Sequence, residues 1–486
     1  MPSLVEKVSA KPLTTVILLA LLLFLSGNWI LPLMDRDEPR FAEASREMLQ
    51  RGDWIVPWFN GHYRFDKPPL IYWCQIASYR VLGESAFAAR LPSALFATAT
   101  AVMLLFWGRR LGNEKAGFYA AIILVTCLQL LIHARLAVAD MPMVFFESAA
   151  VWSGWEMTRP QPAPQRRWWW IFYLVLGFGF LAKGPVAWLP LGALFLGRWL
   201  RPNEFHLPTR TVIGGLLVAL ILVGLWGIPA LLATQGQFFT VGIGHHVVFR
   251  SLGIMEGHGG PGWIGFVLTL PLYFVTFFFS FFPWSLQMPS ALRIWWPSRR
   301  EDLLGWYLLV QASLVFATFT LVRTKLPHYT MPAFPALSLW LALRVGSKSG
   351  SARWIGLRAA TMCALALLVT LRGFVLARPY FVAANLWHQG QPFCTSQMEF
   401  ATVDFNEPSL VWEFRHELTN YDQQLTMAQA GPFLLKEGPR LLILPTKEFS
   451  GELRTLATNA ITFRSAGIDT ARFRRIDLTA VIKTGK

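Results

Sequence analysis

The 23 residues TVIGGLLVALILVGLWGIPALLA, positions 211 to 233, carry no charged side chain. About 20 apolar residues in one helix span the hydrocarbon core of a bilayer, where each backbone N–H and C=O must find its partner within the chain. Stretches of similar character recur at 13–33, 92–108, 116–134, 139–157, 168–183, 185–200, 264–290, 303–322, 329–343 and 356–376. The pattern predicts an α-helical integral membrane protein with about eleven crossings. Composition agrees, with 54% hydrophobic residues, 15% charged and a mean hydropathy of +0.41, outside the usual range of soluble domains. Lys7 and Lys11 precede the first apolar run as in a signal peptide. No small-residue cleavage site follows, so this run is expected to stay as an anchor.

The formal net charge of +16 raises the question of nucleic acid. The basic residues fall instead in short loops between apolar runs, which argues against it. Counted along the eleven-span scheme, the loops that hold Arg109, Arg110 and Lys115, then Arg159, Arg166 and Arg167, then Arg198, Arg201 and Arg210, then Arg293, Arg299 and Arg300, and then Arg344, Lys348, Arg353 and Arg358 share one side with the N-terminus. Lys and Arg accumulate on the cytoplasmic side, so that side is inside. The opposite side receives 34–91, the RLAVA turn, 234–262, the RTKLPH turn and everything after 377. Segment 34–91 holds eight basic and eight acidic residues, so the inward bias does not explain its charges. Beyond about 380, SLVWEF, RLLILP and DLTAVI read as strands and 423–437 as a helix. The expected organisation is a membrane domain over 1–378 and a small α/β domain outside the membrane, on the side opposite the cytoplasm, over 379–486.

The first outer segment opens with MDRDEPRF, residues 34–41, three carboxylates and two arginines within six positions. Pro39 suits a first helical turn, and Phe41, Ala44 or Ser45, Met48 and Leu49 follow at helical spacing, which predicts an amphipathic helix along the membrane surface. Asp37 and Glu38 stand at its N-terminus, where the helix dipole favours the ionised acid. RFDKPPLIYW repeats the device with Asp66 and Lys67 ahead of Pro68 and Pro69. Later outer turns contribute His133, Arg135 and Asp140; Lys183 beside Gly184-Pro185; His245, His246 and Arg250; and Arg323, Lys325, His328 and Tyr329.

Each of these has a plain structural alternative: a helix cap for the acids, an interfacial side chain reaching toward headgroups for the lysines and arginines, a polar loop for the histidines. Their placement on one face, by a loop count that omits them, is what joins them. Lys, Arg and Tyr converging at lipid depth suit a phosphate. A surface carboxylate, an Asp/His pair able to hold a divalent metal and phosphate-binding cations together suit group transfer away from a lipid phosphate. Asp37 would orient or deprotonate the acceptor.

DEPRFAEASREMLQRGDWIVPWFNGHYRFDKPPLIYW, followed in order by RLAVADMP, LAKGP, HHVVFR and TKLPHYTMPAFPAL, resembles the bacterial polyprenyl-phosphate-dependent glycosyltransferases typified by the aminoarabinose transferase of lipid A. These are relatives of the protein O-mannosyltransferases in the GT-C superfamily, and the resemblance covers the whole membrane domain. It implies a GT-C fold, an undecaprenyl-phosphate-linked sugar donor, transfer at the periplasmic leaflet of the bacterial inner membrane, and inversion at the anomeric carbon. By position, Asp37 matches the family's catalytic Asp and Asp140 its second essential Asp. Arg40, Lys67, Lys183, Arg250 and Tyr329 match the group around the lipid phosphate, and Asp66 and His245 match ligands of a divalent metal, zinc in the family. Asp66 stands where Glu is usual, Phe41 where Tyr is usual, and Arg64 where an aromatic is common; His246 offers an alternative register for His245.

The expected acceptor is lipid A or a related envelope glycolipid, and the sugar is aminoarabinose or another, such as a hexosamine or uronic acid. A protein or polysaccharide acceptor is the alternative within the enzyme class. A lipid-linked substrate transporter or flippase is the alternative outside it; such proteins place charges near the midplane between repeats, and no internal repeat is visible here. A noncatalytic envelope scaffold is a further alternative, one that predicts an Asp37→Ala chain still active in cells.

Overall fold

The structure, a computed structural model, describes residues 11–159, 166–249, 253, 262–346, 350–418 and 421–484. Two compact units emerge. The first comprises residues up to Ser26, Phe65–Cys74 and Arg90–Leu367; the second comprises Gly27–Arg64, Gln75–Ala89 and Leu368 onward.

The first unit is helical. Among the described residues, four helices are long and apolar enough to cross a membrane: Ala86–Arg110, Thr209–Ala233, Leu303–Leu321 and Ala352–Tyr380. Gly262–Leu268 and Leu272–Ser280, bent by 40°, make a fifth if they form one span. The other apolar stretches fold as shorter or interrupted helices, among them Pro12–Leu25, Asp140–Thr158 and Arg166–Lys183. The expectation of about eleven crossings therefore rests on the sequence. The unit's outward surface is apolar: Leu217, Leu220, Ile221, Leu225, Ile228 and Leu232 of Thr209–Ala233 are all exposed, as hydrocarbon around a span requires.

Small residues set its closest packing. A methyl group at Gly108, near the end of Ala86–Arg110, would collide with the backbone of Gly117 in the next helix, Glu114–Val125. Asp140–Thr158 and Arg166–Lys183 pack along each other, with Phe146 and Phe178 stacked 5.5 Å apart.

The second unit carries the sheet. Its strands are β1 (Trp58–Phe59) and β2 (His62–Tyr63), a hairpin, and β3 (Glu399–Val403), β4 (Gln423–Leu425), β5 (Arg440–Pro445), β6 (Ile461–Asp469) and β7 (Arg474–Lys483). The five-stranded order is β4-β3-β5-β7-β6, parallel across β4, β3 and β5 and antiparallel across β5, β7 and β6. RLLILP is β5, buried on both faces, and DLTAVI lies in β7, as the apolar runs predict. The predicted helix at 423–437 narrows to Met427–Leu435, opened by a Thr426–Gln429 capping box.

SLVWEF is a helix, not the predicted strand. Residues Pro408–Phe414 form it, with Pro408 preset for the first turn. The N–H and Oγ of Ser409 both donate to the Asp35 carboxylate, at 2.8 and 2.5 Å, satisfying a donor that the helix start would otherwise leave open. Alternation of apolar residues over six positions does not distinguish this from a strand.

The helix predicted at the first outer segment is present at Asp37–Arg51 and ends at Gly52, whose φ of 67° suits a residue without a side chain. Its polar face is covered as well as its apolar face. Arg46 pairs with Glu43 at 2.6 Å, and Glu47 accepts from the backbone N–H groups of Asn60 and Gly61 at 2.5 and 3.2 Å. Ser45 donates to Gln75 and Tyr79 to the Ala42 carbonyl. These charges are used inside the unit to hold the β1–β2 hairpin and neighbouring segments, so this helix does not present a wet face.

Candidate active site

In the first unit, a helix break delivers each functional side chain. Arg166–Lys183 ends because Gly184 takes a φ of 83° and Pro185 lacks an N–H; the chain continues as a 3₁₀ turn over Pro185–Trp188. Lys183 is left as the terminal residue. Asp140 begins Asp140–Thr158 straight after the RLAVA turn, and His133 closes the short helix Leu128–His133. His328 and Tyr329 lie on the 3₁₀ segment Pro327–Ala333, whose prolines at 327 and 332 keep it out of a regular α-helix.

These breaks converge. Lys183 Nζ lies 2.6 Å from Asp140 Oδ1, a direct ion pair with little solvent exposure, and His328 Nε2 lies 3.7 Å from the same oxygen. The His133 and His328 rings stand 4.6 Å apart, His328 is edge-on to Tyr329, and Lys183 Nζ lies 5.6 Å from the Tyr329 ring centre.

Beside them is a cavity of about 600 Å³. Asp66, Lys67, Lys183 and Tyr329 supply its polar lining, and residues such as Phe180, Leu189, Leu220, Val223, Trp226 and Phe238 supply an extensive apolar lining. Lys67 Nζ donates to the Asp66 carbonyl at 3.0 Å. A space that is apolar over most of its wall and cationic at one place is shaped for an amphiphile with an anionic head.

Of the five positions matched to a lipid phosphate, Lys67, Lys183 and Tyr329 thus line one cavity. Arg40 belongs to the second unit, and Arg250 lies outside the described residues. Asp37, in the second unit, is exposed at the start of its helix, and its side chain has no hydrogen-bond or ion-pair partner among the described residues. Its neighbours are engaged: Asp35 by Ser409, Arg36 by Glu407 at 3.0 Å, and Glu38 by the N–H of Met34. Burial pushes the Asp35 carboxyl up to about 7 despite the two Ser409 bonds. Phe41 and Arg64, two of the departures from the family pattern, meet each other: the guanidinium carbon lies 5.3 Å from the ring centre, a cation–π contact.

Asp66 lines the cavity, whereas His245, on the π-helical segment Phe238–Phe249, is exposed and stacked on Phe249 at 5.2 Å; the His246 side chain is outside the described residues. Among the described residues, the one group of three potential ligands is His133, Asp140 and His328. Both histidines stand in the outer-turn motifs of the sequence, but nothing in their spacing, 195 positions apart, joins them to Asp140.

An intramembrane-type helical unit with a lipid-shaped cationic cavity, joined in one chain to a small sheet unit, defines a class of membrane enzyme acting on lipid-linked substrates, and the likenesses agree. Residues 66–226 match the family described as dolichyl-phosphate-mannose-protein mannosyltransferase. The chain superposes on ArnT from Cupriavidus metallidurans bound to undecaprenyl phosphate with a TM-score of 0.80 at 18% identity, covering 96% of this chain and 97% of that one; the apo form gives 0.79. At that identity the likeness establishes the fold, which this chain shares with ArnT.

The undecaprenyl phosphate-α-4-amino-4-deoxy-L-arabinose arabinosyl transferase of Pectobacterium carotovorum is 30% identical over 393 residues, 77% of this chain and 68% of the relative. That of Pectobacterium atrosepticum is 30% identical over 69% of this chain and 59% of its own length. The chain belongs to this family of glycosyltransferases.

Proposed function

We propose that the protein transfers a sugar from an undecaprenyl-phosphate donor to lipid A or a related envelope glycolipid, inverting the anomeric carbon, at the periplasmic face of the bacterial inner membrane through a membrane domain of about eleven crossings. One observation carries the reading: Lys67, Lys183 and Tyr329, widely separated in sequence, line a single and otherwise apolar cavity. The polyprenyl chain occupies the apolar wall, and the two ammonium groups with the Tyr329 hydroxyl hold the phosphate, together with Arg40 and Arg250. An acceptor hydroxyl oxygen bonds to the anomeric carbon as the bond from that carbon to the phosphate oxygen breaks; the electron pair leaves with the polyprenyl phosphate, whose growing charge the lysines stabilise. Asp37 takes the acceptor proton or orients its hydroxyl. Asp140 pairs with Lys183 at the cavity when the phosphate is not bound. The sugar is aminoarabinose or a related residue.

The test is mass spectrometry of lipid A and of total envelope glycans from cells with the wild-type chain, with Asp37→Ala, and without the protein. The expected result is a mass increment on lipid A that needs Asp37. An increment on an envelope protein or polysaccharide instead, a reading favoured by the match of 66–226 to protein mannosyltransferases, moves the acceptor and keeps the chemistry. No change in any envelope glycan removes the transferase reading.

A further inference from the structure

His133, Asp140 and His328 come from three separate helix breaks, yet one ligand atom from each lies within 4.8 Å of the other two. His133 and Asp140 are buried and His328 is half-buried. Two imidazoles and one carboxylate are the donor set of a divalent transition metal of the zinc type. Around such an ion, with bonds of about 2.0–2.2 Å, neighbouring ligands stand about 3.3–3.5 Å apart. The 3.7 Å between His328 Nε2 and Asp140 Oδ1 is close to that, and side-chain rotation closes the rest.

The surroundings of His133 also suit the role. The Gln129 amide contacts His133 Nδ1 at 2.9 Å and receives the Ser280 hydroxyl at 3.0 Å. Amide nitrogen and oxygen exchange places on rotation. With the oxygen toward His133, Nδ1–H donates to it and the Nε2 lone pair is turned out as a ligand, the arrangement by which an outer partner orients a metal-binding histidine.

We infer that His133, Asp140 and His328 form a divalent-metal site, and that the metal and the Lys183 ammonium compete for the Asp140 carboxylate. Lys183 holds the position at 2.6 Å. A dication on the same oxygen repels it, and the side chain already lines the lipid cavity. Metal entry therefore frees Lys183 for an anion in that cavity. The site is separate from the Asp66 and His245 pair expected from the sequence, and its test does not require transferase activity.

The test is titration of the full-length detergent-purified chain with Co²⁺ alone, read by the visible d–d bands of a bound ion, with Zn²⁺ competition and elemental analysis for stoichiometry. The expected result is one ion per chain, lost in His133→Ala and His328→Ala while their melting curves stay cooperative, and retained in Asp66→Asn and His245→Ala. Should a histidine variant fail to fold, Lys183→Met supplies the second readout: removal of the competing cation tightens Co²⁺ binding by at least about tenfold. Three results overturn the inference: no stoichiometric binding, bands that survive both histidine substitutions but vanish in Asp66→Asn or His245→Ala, or an affinity unmoved by Lys183→Met.

Discussion

Asp140 in the first unit and Asp35 in the second are both acids drawn away from water, and they are answered differently. Asp35 is bonded by Ser409, at the start of the helix Pro408–Phe414. Asp140 is answered by Lys183, a side chain that also lines a cavity large enough for a lipid head and part of its chain. The second unit spends its charges on its own framework: Arg36 on Glu407, Arg46 on Glu43 within one helix, and Glu47 on the β1–β2 turn. The first unit has charges of both kinds: Arg159 is paired with Glu156 and Arg344 with Asp302, whereas Lys67 and Lys183 line a space. Charge density alone therefore does not mark chemistry; what marks it is whether the partner leaves room for a substrate.

The sharpest way to break this contrast uses residues side by side in MDRDEPRF. Asp37→Asn should lower sugar transfer by about 100- to 10,000-fold, the range for loss of a general base, with no change in thermal melting, because Asp37 is exposed and its side chain has no partner among the described residues. A fall in melting temperature equal to that of its neighbours would place Asp37 with the structural charges. Next in size, Lys67→Met should raise the donor KM by about tenfold to a hundredfold, in line with the loss of one charge-assisted contact to phosphate. An effect confined to kcat would deny it a place in donor binding.

pH should separate the two units. Burial pushes Asp35, Glu47, Glu413 and Asp422 each up to about 7, from unfolded values near 4. An acid raised in this way keeps its proton in the folded state while the unfolded chain releases it, so its contribution to stability is complete below about pH 4, falls as pH rises to about 7, and is flat above. Hydrogen exchange, corrected for its intrinsic pH dependence, should show backbone protection in 44–51 and 399–403 about tenfold lower at pH 8 than at pH 5, with 211–233 unchanged as the internal control. Equal protection at both pH values would remove these four acids from the account. The smallest effect is that of Arg36→Met, which leaves the buried Glu407, among the described residues, with the distant Arg472 at 4.0 Å as its cation. It should cost about 1–2 kcal/mol, seen as a melting temperature a few degrees lower, with transfer changed less than the Asp37 variant by at least an order of magnitude.

The sequence made some of this legible and hid the rest for identifiable reasons. Lys183 stood out because a Gly-Pro break follows it, and a break is a local feature that local chemistry dictates. Asp140 stood out because an acid at the head of an apolar run is costly without a partner. The roles within MDRDEPRF were not separable, since the residue that occupies Asp35 lies 374 positions away and the one that occupies Arg36 lies 371 away. The same distance explains SLVWEF: its helix begins on a carboxylate from the other end of the chain. β5 was readable from its unbroken apolar run, whereas β6, exposed along much of its length, lacks that signal. His133 and His328 were visible as outer-turn histidines, and only the folded first unit sets their rings 4.6 Å apart.

The central claim is that Lys67, Lys183 and Tyr329 define one seat for a lipid-borne phosphate. A photoreactive undecaprenyl phosphate, crosslinked to the full-length protein in proteoliposomes and mapped by peptide mass spectrometry, tests it directly. The account predicts labelling at the cavity wall, within 180–189 and 220–243, that unlabelled undecaprenyl phosphate displaces and that Lys67→Met weakens by about tenfold or more. Labelling spread evenly over the exposed apolar face of 211–233 and indifferent to Lys67→Met would mean that the lipid merely coats the protein, and would contradict the account.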